Sequence, residues 1–272
     1  MPNIIVIIIL GIVEGITEFL PVSSTGHLLI AEHVMERLHW VAHQQSDLFN
    51  VVIQGGAVLA VIPLFKYRFH QFIFEWQKPA TRDYLFKIIL AFGITGVGGL
   101  ILDKKNFKLP EALTPIAWAL FIGGIMFLVV EFIIRGKKMS EEVTWAVAMA
   151  VGFGQLIAAV FPGASRSGST IMISLLLGLS RLASTEFSFL VGIPTMLAAS
   201  GLKIFEAFHH PKDGAPHEDW AMLILCTVIS AVVSFIAVKW LLRYVQSHTF
   251  NAFGWYRIVL GGLLLAALFL RL

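Results

Sequence analysis

The hydrophobic positions of this chain fall in long unbroken runs, with no alternation between faces. Asp, Glu, Lys and Arg are absent from Leu48 to Phe65, Ala112 to Val130, Val143 to Ser165 and Trp220 to Val238. Runs of that length suit helices that cross or nearly cross about 30 Å of hydrocarbon, at ~20 residues each. Shorter uncharged runs (Met1 to Val13, Ile88 to Leu102, Ser167 to Ser180, Phe187 to Leu202, Ile258 to Leu270) either become spans with charges tolerated at their ends or stop part-way. A membrane β-barrel would alternate apolar and polar residues over about 10 positions, and these runs are apolar throughout. The pattern predicts an all-α polytopic membrane protein forming a single domain over 1–272.

Polar connectors separate the runs. Lys66 to Lys87 is the longest, followed by Asp103 to Glu111, Arg135 to Glu142, Glu206 to Asp219 and Arg243 to Asn251. Alternating spans put Lys66 to Lys87 and Arg135 to Glu142 on one side, and their basic residues make that side cytoplasmic. A weak internal repeat divides the chain into about 1–135 and about 143–272. Pro21-Val22-Ser23-Ser24 and Pro162-Gly163-Ala164-Ser165 align at an offset of 141 residues, and Phe49 to Ala60 aligns roughly with Phe187 to Ala198 at 138. Paired, Gly/Pro-interrupted apolar segments in corresponding halves predict broken or re-entrant helices that meet near the membrane midplane.

Composition narrows the class further. Of 272 residues, 57% are hydrophobic and 14% charged, against about 25% charged in soluble domains. That balance excludes a disordered chain, a nucleic-acid partner and an ordinary water-soluble enzyme; the solvent is lipid. The net charge of +3 reflects basic loop ends and implies no acidic partner. The lone Cys226 cannot pair within the chain and reads as a small buried hydrophobe. The N-terminal run has neither a basic region before it nor a small-residue cleavage site before Glu14, so it reads as a retained helix.

The candidate chemistry lies at the two breaks. In Glu14-Gly-Ile-Thr-Glu18-Phe-Leu-Pro21-Val-Ser23-Ser24-Thr25-Gly26-His27, the two acids are four apart and share one helical face. Pro21 stops that helix, and Ser23, Ser24 and Thr25 are suited to cap a new one. The second break, Pro162-Gly163-Ala164-Ser165-Arg166-Ser167-Gly168-Ser169-Thr170, repeats the design with Arg in place of the acids. Two helix N-termini and a guanidinium, with the polar groups of Ser23, Thr25, Gly26, Ser165, Ser167, Gly168 and Thr170, form an anion site suited to phosphate. Glu14, Glu18 and His27 add groups that move protons or hold a cation, and a Ser beside them is the arrangement of an activated nucleophile. Ser167, Ser169 and Thr170 have a plainer reading as small residues that let helices approach closely.

The other ionisable groups have ordinary explanations. Glu186, Lys203, Lys239 and Arg257 sit near predicted helix ends, where long side chains snorkel to the interface. Glu32, His33, Glu36, Arg37, His39 and His43 read as a solvated or interfacial face, and His209, His210 and His217 as part of a Pro/Gly/Asp surface loop. Trp76, Tyr84, Trp220, Trp240, Tyr244, Trp255 and Tyr256 form an interfacial aromatic belt. Glu14, Glu18 and Arg166 resist such readings, because an ionisable residue at mid-bilayer costs roughly 2.5–3.5 kcal/mol even on insertion scales.

The two motifs, EGITEFLPVSSTGH (Glu14 to His27) and PGASRSGST (Pro162 to Thr170), resemble the signatures of the undecaprenyl-diphosphate phosphatases of the bacitracin-resistance family, bacterial integral membrane enzymes. FNVVIQGGAVLAV (Phe49 to Val61) and EFSFLVGIP (Glu186 to Pro194) extend the similarity over nearly the whole chain. The resemblance implies inverted-topology repeats with two re-entrant helical hairpins and about six full transmembrane helices. It implies residence in the bacterial cytoplasmic (inner) membrane, with a site open to the outer, periplasmic side and contacts with membrane lipids. The implied reaction removes the terminal phosphate of the C55 polyprenyl diphosphate, recycling the carrier lipid for peptidoglycan and conferring bacitracin resistance. Ser24 is then the nucleophile, Arg166 the phosphate clamp, His27 the acid/base, and Glu14 and Glu18 the motif acids. His27 as nucleophile and Glu14 with Glu18 as ligands for Mg²⁺ or Ca²⁺ remain alternatives, as does a homodimer. A lipid flippase or anion transporter using the same midplane site is the competing function.

Overall fold

The computed structural model describes residues 4–40, 45–105, 112–209 and 219–270, which are helical almost throughout. The sequence expectations for His43, His210 and His217 concern residues outside these segments. The first half of the chain forms α1 (Ile4–Thr17), α2 (Ser24–Arg37), α3 (Asp47–Val61), α4 (Lys66–Phe74), α5 (Pro79–Lys104) and α6 (Leu113–Ile134). The second forms α7 (Trp145–Val160), α8 (Arg166–Leu176), α9 (Arg181–His209), α10 (Trp220–Ser247) and α11 (Asn251–Leu270). Among the described residues, six helical stretches are long and apolar enough to cross a membrane: Leu48–Phe74, Pro79–Lys104, Leu113–Ile134, Arg181–His209, Trp220–Ser247 and Asn251–Leu270. The chain is a multi-pass membrane protein.

Two helix boundaries depart from the charge pattern. The connector expected at Lys66 to Lys87 is mostly helix, because a 3₁₀ turn at Ile62–Phe65 carries α3 into α4 and α5 starts on Pro79. Lys87 lies within α5, buried, ion-paired with Asp83 one turn away and placed over the Trp145 ring. The charge-free run from Val143 to Ser165, long enough to span, gives only the 16 residues of α7. Pro162 and Gly163 lie in the break that follows; Gly163 has φ 89°, a conformation open to glycine but costly for a residue with a Cβ.

The packing brings the halves together crosswise. Gly11 of α1 sits against Cys226 and Ile229 of α10, and Gly15 against Ser230 and Val233. In the second half, Gly152 of α7 sits against Ala91 and Ile94 of α5, and Leu156 against Gly98. Each short helix therefore runs parallel to a long helix of the other half, with glycine removing the side chain at the closest approach. α6 and α11 pack on each other by the same device, through Gly124 beside the Gly254 carbonyl and Gly261 beside the Phe121 backbone.

Polar links fix one end of the bundle. Ser140 exchanges backbone hydrogen bonds with Gly178 and Ser180, tying the chain just before α7 to the chain just after α8. Glu131 of α6 accepts from the Arg181 guanidinium at 2.9 and 2.5 Å and from the Phe250 amide at 2.8 Å. Arg68 pairs with Glu186 at 2.7 Å, so Glu186 is held in an ion pair and does not snorkel free. The outer surface is apolar, with Phe132 77% and Phe269 88% exposed, as lipid contact requires.

Candidate active site

The two breaks are built alike. Ser23 has φ 77° and its hydroxyl accepts from the Gly26 amide at 3.3 Å; Ser165 has φ 69° and accepts from the Gly168 amide at 3.1 Å. Both serines are N-caps held in a left-handed conformation, at a cost of roughly 1–3 kcal/mol each. These caps lie 142 residues apart, one more than the offset of the prolines, because the second break carries one extra residue. Ser24 and Arg166 therefore occupy the same position, the first residue of α2 and of α8. At that position the first half presents a hydroxyl and the second half a guanidinium.

These residues face a shared cavity of about 220 Å³, lined by Glu18, Ser23, Ser24 and Thr25 from the first break and Ser165 and Arg166 from the second. Ser24 Oγ donates to Glu18 Oε2 at 2.5 Å, and Arg166 Nη2 donates to Glu18 Oε1 at 3.2 Å. Glu18 thus joins the hydroxyl of one helix N-terminus to the cation of the other. Arg166 lies near the Phe19 ring, its Cζ 5.9 Å from the centroid. Its Nη1 is buried with no hydrogen-bond partner within the protein. Helix geometry also leaves first-turn N–H groups of α2 and α8 without intrahelical acceptors. A charged donor without a protein partner, beside two helix N-termini, is an arrangement whose chemistry suits an anion.

Several predicted site residues are placed elsewhere. His27 does not line the cavity: Nδ1 is 2.7 Å from the Ser23 carbonyl and Nε2 is 2.6 Å from the Tyr256 hydroxyl, and the two rings stack at 5.6 Å. Both ring nitrogens are engaged, and neither contact is to Ser24. Ser167 donates to the Leu20 carbonyl at 3.2 Å, and Thr170 to the Arg166 carbonyl at 2.9 Å while accepting from Ser188 at 2.8 Å. Their hydroxyls hold the breaks in shape, and Gly26 and Gly168 give room, the latter beside Arg257. Ser169 is buried, as its packing role suggests.

Glu14 is completely buried one turn before Glu18, away from the cavity lining, and neither carboxyl oxygen has a hydrogen-bond partner within the protein. Glu18 is engaged on one oxygen by Ser24 and on the other by Arg166, and Glu14 lies one turn behind it on the same face at the end of α1.

Other residues of the site escaped the sequence reading. Arg257 of α11 is not a snorkelling cation but wholly buried, and its guanidinium donates to Pro21, Gly163 and Ala164 in the two breaks and to Ala119 in α6, at 3.0–3.2 Å. Among the described residues its hydrogen bonds go to backbone carbonyls, its Cζ lies 6.0 Å from the Phe127 ring centroid, and Gly123 and Gly168 give it room. Gly192 of α9 leaves the space that the Arg166 guanidinium fills. Glu32, expected on a solvated face, is 3% exposed. Gln54, Thr95, Gln155 and Thr195 also line the cavity. The signal for Gln54 and Gln155 was present in the chain, since each is an amide inside a charge-free run.

The chain belongs to the bacitracin resistance protein BacA family, whose model matches residues 7–263. It is similar to proteins named undecaprenyl-diphosphatase: 52% identical over 259 residues to that of Rhizobium etli (strain CIAT 652), covering 94% of each chain. The protein of that name from Xylella fastidiosa (strain 9a5c) is 51% identical over 259 residues, covering 95% of this chain and 96% of its own. That of Xanthomonas oryzae pv. oryzae (strain PXO99A) is 47% identical over 266 residues, covering 97% of each.

Proposed function

We propose that this protein is an undecaprenyl-diphosphate phosphatase that hydrolyses the terminal phosphate of the lipid through a phosphoseryl intermediate on Ser24. The contact from Ser24 Oγ to Glu18 Oε2 at 2.5 Å carries the reading, because it gives a hydroxyl both a base and a fixed aim into a cationic cavity. Arg166 and the first-turn amides of α2 and α8 hold the diphosphate, with the unpartnered Nη1 turned to a phosphate oxygen. Ser24 attacks the terminal phosphorus and passes its proton to Glu18. The polyprenyl monophosphate leaves, taking the electrons of the broken P–O bond. Water then cleaves the Ser24–phosphate bond, and Glu18 returns the proton to Ser24. Phosphoryl transfer needs mainly positioning and charge stabilisation, and the two breaks supply both.

His27 acts on this chemistry through the backbone. Its Nδ1–H donates to the Ser23 carbonyl at the cap, with Nε2 accepting from Tyr256, so it is a positioning residue and not the nucleophile. Glu14 and Glu18, one turn apart at the end of α1, are the residues that would hold a divalent cation beside the diphosphate, where it would neutralise phosphate charge.

The crosswise packing supports two inverted repeats, each opening with a re-entrant hairpin, α1–α2 and α7–α8. The end bearing Arg68, Arg135, Lys137 and Arg181 faces the cytoplasm by its positive charge, and the site is served from the outer side of the bacterial inner membrane. The protein would thereby recycle the carrier lipid for cell-wall synthesis.

The test is phosphate release from a polyprenyl diphosphate by the purified protein, Ser24→Ala and Arg166→Ala, with the phosphorylated residue trapped by acid quench. Release that both substitutions abolish, with label on Ser24, is expected. Phosphohistidine at His27 would overturn the nucleophile. Lipid movement across vesicles without phosphate release would favour a flippase.

A further inference from the structure

The buried amide of Gln155 has an orientation that can be deduced. Gln155 lies on α7, 3% exposed, and lines the same cavity as Ser24 and Arg166. Its Nε2 is 2.8 Å from Thr95 Oγ1 and 3.5 Å from Thr195 Oγ1. Each threonine hydroxyl has one proton and backbone carbonyls to take it: Ala91 at 2.9 Å and Gly152 at 3.2 Å for Thr95, and Val191 at 2.9 Å for Thr195. Toward Gln155 the two hydroxyls therefore offer only lone pairs, and only the NH₂ side of the amide can face them. The carbonyl oxygen Oε1 must point the other way. It is buried and has no hydrogen-bond partner within the protein.

A fixed, unpartnered acceptor beside a phosphoryl site costs about 1–3 kcal/mol unless a donor reaches it. The bare diphosphate is rich in acceptors and poor in protons, so it does not satisfy Oε1. Water is a donor, and one water is required by the reaction itself. An amide can orient an attacking water at a phosphoryl group without itself taking the proton. The neutral amide also avoids placing another charge at membrane depth. At the 141-residue offset that relates Gly11 to Gly152, Gln155 stands where α1 carries Glu14.

The geometry points to Gln155 as the residue that holds the hydrolytic water for the second half of the reaction. This role rests on the phosphoseryl route proposed for Ser24. Water donates one hydrogen bond to Gln155 Oε1, and its oxygen forms the new bond to phosphorus as the bond to Ser24 Oγ breaks. Glu18 gives Oγ back its proton, both protons of the water stay on the phosphate, and H₂PO₄⁻ leaves.

The two half-reactions separate the possibilities. With a polyprenyl diphosphate labelled in its terminal phosphate, rapid acid quench measures three quantities for wild type, Gln155→Leu, Thr95→Val and Ser24→Ala: lipid monophosphate formed, label on protein, and free phosphate. Gln155→Leu should give a burst of monophosphate equal to the enzyme present at a rate close to wild type. Phosphate release should then fall roughly 10–100-fold while label accumulates on Ser24. Thr95→Val, which removes the better of the two acceptors that orient the amide, should show the same pattern more weakly. Wild-type phosphate release by Gln155→Leu, or an equal loss of burst and release in both variants, overturns the role while leaving Ser24 in place. Undiminished release by Ser24→Ala overturns the phosphoseryl route, and the role of Gln155 with it.

Discussion

Gly192 tests whether the clamp works through position or merely through charge. A Cβ built there would lie 1.8 Å from Arg166 Nη1 and 2.8 Å from Cζ. Ordinary contact is about 3.5–4.0 Å, so Gly192→Ala drives the guanidinium back by about 1.5–2 Å. The neighbour is the far end of a flexible side chain, and α9 itself need not move. Alanine also favours a helix over glycine by about 1 kcal/mol, so melting temperature should hold or rise. The ion pair of Arg166 with Glu18 is 3.2 Å long and has little slack. A misplacement of about 1 Å at a catalytic group can cost about 10²-fold, so kcat should fall at least that far, about 2.7 kcal/mol of transition-state stabilisation. Phosphate release from a polyprenyl diphosphate in detergent, alongside a melting curve, measures both. Wild-type turnover in a folded Gly192→Ala protein would refute the reasoning, because the arginine could then work from a place the structure does not give it.

Three further outcomes are expected. Arg257→Leu leaves the carbonyls of Pro21, Gly163 and Ala164 without their shared donor, so thermal unfolding should show a loss of at least about 3 kcal/mol. Activity should disappear with the shape of the breaks. Gly15→Ala places a Cβ 2.6 Å from Val233 Cβ and 2.8 Å from the Ser230 carbonyl, forcing α1 off α10 at a cost of about 1–3 kcal/mol. Gly99→Ala, in open space, should leave the melting temperature unchanged or higher, and the comparison isolates packing from propensity. Glu18→Gln keeps the shape of the side chain but removes the base for Ser24, so phosphate release should fall by about 10²–10⁴ with folding intact; a smaller loss would place the base elsewhere.

Hydrophobic runs determined that the chain is helical and lives in lipid, because hydrocarbon tolerates no unsatisfied backbone and permits few charges. The same rule exposed the site: Glu14, Glu18 and Arg166 stand out in sequence because an ionisable group at such depth is costly. The two breaks were equally legible, since proline, glycine and capping serines are local signals.

What folding alone decided is how separate segments meet. Only the packed structure gives the guanidinium of Arg257 to the two breaks, fits Arg166 against Gly192 and turns His27 toward Tyr256. In sequence Arg257 reads as a snorkelling cation near the end of a helix, and nothing local says that the carbonyls of Pro21, Ala119, Gly163 and Ala164 await it. The one-residue shift that makes Ser24 the counterpart of Arg166 depends on the backbone at Ser23 and Ser165. Hydrophobicity is a property of each segment and can be read along a line. The partners of a buried polar group come from other helices, and only the tertiary fold chooses them.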